Sequence, residues 1–296
     1  MIKRTLYFGN PAYLKTINEQ LVIERPDEDS KKVPIEDIGL VFLDHQQITI
    51  TQALMAKLLA NNVALITCNE THHPVGLLLN LDGNTLQSQR FKEQLDASVP
   101  LKKQLWQQTV EQKIRNQAAV LEKVREENKY LLNLAANVKS GDAENAEARA
   151  AGYYWKRVFP DFLEFTRERY GLPPNNLLNY GYAILRAVVA RSLVGSGLLP
   201  TLGIHHRNQY NAYCLADDIM EPYRPYVDNV VYQIVRGNGR FLEMTPDMKK
   251  TLLDIPAIDV QLDGQQSPLM NAVTRTTASL VRCFEGSQLK ILYPEM

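Results

Sequence analysis

Residues 38–68 read IGLVFLDHQQITITQALMAKLLANNVALITC, and this stretch decides how the amino-terminal part folds. Its two ends, IGLVFLD and VALITC, are continuously apolar, which is typical of strands in the middle of a sheet. Between them, Thr51 is a good cap for a short helix whose leucines share one face and which ends at Asn61. We therefore expect a strand, a helix and a strand in this order.

The segments before this stretch complete a small β domain. TLYFGN, AYLKTINE and QLVIER alternate apolar and polar residues and are separated by turn residues, which predicts half-buried antiparallel strands. We assign residues 1–80 to this β domain with its one helix, and residues 81–90, which contain LDGNT, to a linker.

Beyond the linker the apolar residues recur with a helical period. LKKQLWQQTVEQKIRNQAAVLEKVR is a long amphipathic segment, and NLLNYGYAILRAVVARSLVG is a more apolar, hence more buried, one. Residues 91–296 are therefore predicted to form a larger all-α domain. The predicted fold class is α+β.

Composition sets few limits on function. The chain is 45% hydrophobic and 22% charged, and its 33 basic and 33 acidic residues give a net charge of +0, which argues mildly against a nucleic-acid-binding protein. Three scattered cysteines favour buried reduced thiols. No stretch approaches the roughly 20 apolar residues of a membrane span, so we expect a cytoplasmic protein without a membrane partner.

One carboxylate falls on an apolar helix face. The segment GDAENAEARAAGYYWKRVF predicts a helix capped by Asp142 and running to Phe159, with Glu147 on its buried stripe. A carboxylate there must be protonated, paired or bound to a metal. The alternatives for Glu147 are an ion pair with Arg149 or with a distant arginine, and a metal site. Glu144 needs no such account, because the helix dipole already favours it in the first turn.

A second polar cluster lies in LGIHHRNQYNAYCLADDIMEPYRP, residues 202–225. Two adjacent histidines usually place one ring inward and one outward, and the acids usually begin a helix. Glu221, however, lies where a cap is no longer needed. One histidine nitrogen with two or three carboxylate oxygens is a ligand set for Mg²⁺ or Mn²⁺ rather than for structural zinc.

These motifs resemble a known family. NNLLNYGYAILRAVVARSLVGSGLLPTLGIHH followed by LADDIMEPYRP, and preceded by EARAAGYYWKRVF, is similar to the integrase-endonuclease of CRISPR spacer acquisition, the larger of the two universal adaptation proteins. The amino-terminal part is also similar to that family's β domain, so the resemblance covers nearly the whole chain. THHPVGL and DDIMEPYRP look like the type II systems.

The resemblance implies a metal site made of an acid, a histidine and a second acid. Carried onto this sequence, these are Glu147, His206 as the last residue of the LGxxH pattern, and Glu221. Asp218 would support them as a further ligand or by holding one of them. A shift of one residue would exchange the roles of His205 and His206. The cofactor would be Mg²⁺ or Mn²⁺, and the candidate contacts to DNA are Arg186, Arg207 and Arg224.

The implied reaction is the insertion of a short DNA fragment as a new spacer, in which its 3′-hydroxyls attack phosphodiesters at the ends of a CRISPR repeat. The implied partners are double-stranded DNA, a second copy joined through the β domain, a small adaptation subunit in a heterohexamer, and the type II effector nuclease. Two alternatives stay open: a metal-dependent nuclease acting on branched DNA in repair, and a DNA-binding scaffold without catalysis.

Overall fold

The computed structural model describes residues 3–160, 162, 165–239 and 241–296, and within these ranges strands dominate the first 78 residues. Eight strands form two four-stranded sheets: β1 (Arg4–Phe8), β2 (Ala12–Ile17), β3 (Gln20–Glu24), β4 (Lys31–Pro34), β5 (Ile38–Leu43), β6 (Ile48–Ile50), β7 (Ala64–Cys68) and β8 (Pro74–Leu78). Helix α1 (Gln52–Ala60) connects β6 to β7, and the Thr51 hydroxyl caps it by accepting a hydrogen bond from the Leu54 amide at 3.3 Å. The predicted strand, helix and strand of residues 38–68 are confirmed.

Strand direction differs from the expectation. In the first sheet, ordered β1-β5-β7-β8, the first three strands run parallel and only β8 is antiparallel. In the second, ordered β4-β3-β2-β6, β2, β3 and β4 are antiparallel, but β6 runs parallel to β2. The prediction of antiparallel strands was wrong for β1, because side-chain alternation reports which face is buried and not which strand lies alongside.

The rest of the described chain is mainly helical. Its helices are α2 (Gln87–Asp96), α3 (Val99–Lys123), α4 (Lys129–Ala136), α5 (Ala146–Tyr154), α6 (Asn175–Gly195), α7 (Cys214–Met220), α8 (Arg224–Asn238), α9 (Pro246–Leu253) and α10 (Leu269–Phe284). The α+β class is confirmed, with one addition to the all-α part, a hairpin of β9 (Asp259–Leu262) and β10 (Gln265–Pro268). Helix α2 begins inside the segment that was expected to be a linker.

Both predicted ends of α5 differ from the observed ones. The helix begins at Ala146 and not beside Asp142, and it ends at Tyr154 rather than at Phe159. Asp142 nevertheless acts on the helix end, since its carboxylate accepts hydrogen bonds from the amides of Ala146 and Glu147 at 2.7 and 3.1 Å. A capping group therefore fixes the turn that carries the candidate metal ligand.

The first sheet joins the two parts of the protein. Leu40 and Phe42 of β5 pack into the helical core, whereas Val41 on the other face packs against α1 and the second sheet. At the edge of this contact the buried Asp44 receives hydrogen bonds from Lys249 of α9 at 2.8 Å and from Tyr7 at 2.5 Å. The β part and the helical part therefore share a core and a buried ion pair.

Two remaining features are the cysteines and the hydropathy of the helices. Cys214 and Cys283 are buried free thiols, as expected, whereas the free thiol Cys68 is only half-buried. None of the helices in the described ranges combines the length and hydropathy that crossing a bilayer requires.

Candidate metal centre

One lysine joins the two acids that the sequence singled out. The ammonium of Lys113 on α3 lies 2.6 Å from Oε1 of Glu147 and 2.6 Å from Oε2 of Glu221. Burial lowers the pKa of Lys113, but the charges of Glu221 and Glu147 outweigh it, and the pKa lies above its ordinary value. The structure therefore brings Glu147 and Glu221, 74 residues apart in the chain, to one shared positive charge.

Helix α3 supplies the floor of this site. Trp106, Val110 and Lys113 fall on the helix stripe that faces the core, and all three are buried. Asn116, one turn further, donates from its amide to the carbonyl oxygens of Pro222 and Pro294 at 2.8 and 3.0 Å. The first of these bonds holds the turn that carries Glu221 against α3.

Glu221 lies between two cations. It begins the short 3₁₀ turn Glu221–Tyr223 between α7 and α8, and its side chain is 6% exposed. Its Oε1 lies 2.9 Å from Nε of Arg224. Burial would raise the pKa of Glu221, but Arg224 and Lys113 hold it below its ordinary value, so the carboxylate is ionised at neutral pH.

The two histidines have different surroundings. Nδ1 of His206 lies 2.5 Å from Oδ1 of Asp218, and this hydrogen bond is the main cause that raises the pKa of His206. The charges of Glu221 and Glu147 also raise it, so the imidazole lies within the field of both acids. The ring of His205 instead stacks on Trp106, with centroids 4.1 Å apart and planes 3° from parallel, and burial lowers its pKa.

Asp218 organises the histidine loop. It is fully buried on α7 and accepts hydrogen bonds from the backbone amides of His205 and His206 at 2.9 and 3.2 Å, besides that of the His206 ring. The loop can approach because residue 203 is glycine: a Cβ there would lie 2.7 Å from Oδ2 of Asp218 and 2.4 Å from the His206 carbonyl oxygen. Asp218 therefore fixes which ring nitrogen of His206 points away from it, namely Nε2.

The side chains are of the types that bind a divalent ion. The ammonium of Lys113 supplies the positive charge between the two acids. Two carboxylates and an imidazole whose other nitrogen binds a carboxylate form a set of donors that suits Mg²⁺ or Mn²⁺. Within the described ranges, no three histidine, cysteine or acidic side chains are already placed around one common point. Binding an ion between Glu147 and Glu221 would therefore require Lys113 to move aside.

The three candidate arginines differ in whether they are already paired with a carboxylate. Arg186 forms a two-pronged ion pair with Asp217 at 2.7 and 3.1 Å, and Arg224 pairs with Glu221 and lies over the ring of Tyr182. Arg207 is exposed and has no carboxylate within 4 Å among the residues that the structure describes. It lines a cavity of about 330 Å³ that also contains His206 and Lys102. Of the three, Arg207 is the one available to a phosphate.

A second acid lies behind the site. Asp228 on α8 is fully buried and accepts hydrogen bonds from the hydroxyls of Tyr154, at 2.9 Å, and Tyr182. Burial raises its pKa to about 6. Asp228 lines a cavity of about 180 Å³ with Lys113, Glu221 and Arg224. It therefore adds a carboxyl group beside the candidate ligands, and the sequence alone did not indicate it.

Lys113 could have been found from the sequence. It lies three residues after Val110 and seven after Trp106, on the same apolar stripe, and a buried ammonium needs a partner for the same reason as a buried carboxylate. The argument that singled out Glu147 applies to it unchanged. Asp228 gives a weaker signal, because its two partners are tyrosines far away in the chain.

The sequence is similar to one protein family along most of its length. The family model described as CRISPR associated protein Cas1 matches residues 6–243. The chain is 37% identical over 281 residues to the CRISPR-associated endonuclease Cas1 of Neisseria meningitidis serogroup C, and this covers 94% of the chain and 91% of that protein.

Solved structures share the fold. A casposase bound to its integration product superposes with a TM-score of 0.78 at 18% identity, covering 98% of this chain and 92% of that one. A Cas6-RT-Cas1–Cas2 complex gives a TM-score of 0.75 at 20% identity, covering 97% of this chain and 35% of that one. At these identities the likeness concerns the fold.

Proposed function

The chain belongs to the family of CRISPR associated protein Cas1, and from this premise we propose that it is a metal-dependent DNA integrase and endonuclease that inserts short fragments at CRISPR repeats. Its Neisseria relative is named an endonuclease, and its casposase neighbour is bound to an integration product. Joining and cleavage are the same chemistry at phosphorus, in which a 3′-hydroxyl or a water attacks.

The observation that carries the proposal is the shared cation. Two acids from distant parts of the chain hold one positive charge at 2.6 Å each, and the His206 imidazole lies within their field. Lys113 and Arg224 together balance the charge of the two acids, so charge alone does not call for an ion. What supports the proposal is that two carboxylates and an oriented imidazole converge, which is the set of donors that a divalent ion needs.

The protein's own groups have separate roles. When bound, Mg²⁺ or Mn²⁺ polarises the attacked phosphodiester and neutralises charge on the leaving oxygen. Glu147 and Glu221 would hold it by their oxygens and His206 by Nε2. Asp218 holds the imidazole in orientation through Nδ1, and Arg224 keeps Glu221 ionised. His205, stacked on Trp106, positions the loop and is not a ligand in this proposal.

The DNA contacts and partners follow from the same proposal. Arg207 and Lys102 line the cavity beside His206 and would meet phosphates of the attacked strand. Arg186 and Arg224 would act mainly by pairing with Asp217 and Glu221 rather than by binding phosphates. Two strand joinings require two distant sites, which supports two homodimers, each joined through the β part, bridged by a dimer of a small adaptation subunit. A Cas2 protein is present in the complex of one structural neighbour. A type II effector nuclease would select fragments.

A joining assay tests this function. The protein, with its small adaptation subunit, is incubated with a short duplex and a plasmid that carries the repeat, and junctions are sequenced. We expect joined strands at the repeat ends with Mn²⁺ or Mg²⁺ and none with a chelator. A duplex with 3′-deoxy ends is the matched control: it lacks the attacking hydroxyl, so joining must stop while metal-dependent nicking continues.

Three outcomes would contradict the proposal. Joining that survives removal of divalent ions would exclude the metal-dependent mechanism. Nicks without joined ends, strongest on branched DNA, would favour a repair nuclease, and DNA binding without any strand change would favour a scaffold.

A further inference from the structure

A cationic cavity lies at the seam between the β part and the helical part, away from the candidate metal centre. Its volume is about 340 Å³, and its lining includes Lys3, Asn62 at the end of α1, Arg191 and Ser192 of α6, and Asn271 and Thr274 of α10. Two of these side chains are cationic, and the others are amides or hydroxyls. Among the residues that the structure describes, no carboxylate lines it.

Arg191 is the central group of this cavity. It is 7% exposed, and its Nε donates a hydrogen bond to the backbone carbonyl of Asn62 at 2.6 Å. In the part of the chain that the structure describes, no carboxylate lies within 4 Å of it. Arg186 on the same helix and Arg224 both have a carboxylate partner. A buried guanidinium without a counter-ion is costly, and burial lowers its pKa to about 10.

The other residues that line the cavity do not neutralise its positive charge. Lys3 donates to the carbonyl oxygen of Glu36, which is a neutral acceptor, and within the described ranges no carboxylate lies within 4 Å of its ammonium. The side chain of Asn62 lies against Gly195 of α6, where a Cβ would approach its amide nitrogen to 2.4 Å. Thr274 is exposed and Asn271 is half-buried, so the cavity opens to solvent beside α10.

We propose that this cavity binds a phosphate group through Arg191, Lys3 and the polar side chains of α6 and α10. A guanidinium whose Nε is already engaged keeps its terminal nitrogens for oxyanion oxygens, and neighbouring hydroxyls and amides complete the shell. The phosphate comes from a DNA backbone or from free phosphate. The first source rests on the proposed function; the site itself does not, because it shares no residue with the metal centre.

The test places a carboxylate inside the cavity. Asn271→Asp keeps Arg191 and gives it an internal partner, so inorganic phosphate should bind the wild-type protein measurably by calorimetry and the variant at least about tenfold more weakly. Asn133→Asp adds the same charge at an exposed position of α4 and should bind phosphate as the wild type does. A raised midpoint of thermal unfolding in Asn271→Asp would show that the protein is folded and that the new pair forms.

A second measurement distinguishes the sources. If the site takes a DNA phosphate, Asn271→Asp should also weaken duplex binding and lower the slope of log affinity against log salt by about 1. If duplex binding is unchanged while phosphate binding is lost, the site takes free phosphate. Equal phosphate affinity in wild type and Asn271→Asp, or no phosphate binding by the wild type, would overturn the proposal. Metal-dependent joining at saturating DNA should persist in Asn271→Asp, so the failure of either proposal is recognisable without the other.

Discussion

Glu147→Gln is expected to abolish joining in a protein that stays folded, whereas Glu221→Gln is expected to lose both joining and stability. Both changes remove one carboxylate charge from the ion position. Loss of a group that merely orients a metal ligand typically costs 10- to 100-fold in activity, so loss of a ligand should cost at least about 100-fold. The joining rates of the two variants should therefore fall together.

The stability difference comes from burial. The side chain of Glu221 is 6% exposed and faces both Lys113 and Arg224, so its amide would leave the buried Lys113 and the half-buried Arg224 with too little negative charge, at a cost of about 3–5 kcal/mol. The side chain of Glu147 is 25% exposed, and Lys113 is its one cationic partner within the described part of the chain, so the cost there should be about 1 kcal/mol. Urea unfolding measures both values.

Glu144→Gln is the matched control for this pair. Glu144 lies three residues before Glu147, is exposed, and should change neither the joining rate nor the free energy of unfolding by a measurable amount. Wild-type joining by Glu147→Gln would remove this residue from the metal site. Wild-type stability of Glu221→Gln would show that the two cations do not depend on it.

Asp218→Asn should weaken the site without removing a ligand. The carboxylate is fully buried and accepts three hydrogen bonds, two from backbone amides and one from Nδ1 of His206. The asparagine side chain has one acceptor oxygen, and its NH2 group would face N–H groups that are themselves donors. We therefore expect a loss of about 2–4 kcal/mol in stability. With His206 no longer oriented, activity or metal affinity should fall about 10- to 100-fold.

The pH profile separates this role from a general loss of packing. Asp218 raises the pKa of His206, and only the neutral imidazole binds a metal, so wild-type joining should be lost as the pH falls through this raised pKa. In Asp218→Asn the pKa of His206 falls, and the acid limb of the profile should move to lower pH although the maximal rate is smaller. An acid limb that does not move would contradict the assignment.

The neighbouring histidine gives the control for this prediction. His206→Ala should lose joining as completely as Glu147→Gln, because the nitrogen ligand is gone. His205→Ala removes a ring stacked on Trp106 and should retain most of the activity. If His205→Ala were the inactive variant instead, the two histidines would have to exchange roles.

The sequence predicted the elements better than their arrangement. The apolar runs of β5 and β7, the cap at Thr51 and the long stripe of α3 are local patterns, and each appears where it was expected. The parallel pairing of β1 with β5 was missed, because it depends on which strand lies alongside after a long connection and not on the strand's own residues.

The candidate site was predictable where burial conflicts with charge. Glu147 was singled out because a carboxylate fell on an apolar stripe, and the structure places it against a cation as that argument requires. Lys113 carried the same signal and was overlooked. Which of two adjacent histidines meets Asp218 depends on the turn at Gly203, and spacing alone does not determine it.

Diffraction from crystals soaked in Mn²⁺ tests the central claim most directly, because anomalous scattering locates the ion without reference to activity. We predict one peak within about 2.5 Å of a carboxylate oxygen of Glu147, a carboxylate oxygen of Glu221 and Nε2 of His206, with the ammonium of Lys113 displaced from its bridging position. A map in which Lys113 still joins the two acids and no peak lies among these three side chains would contradict it.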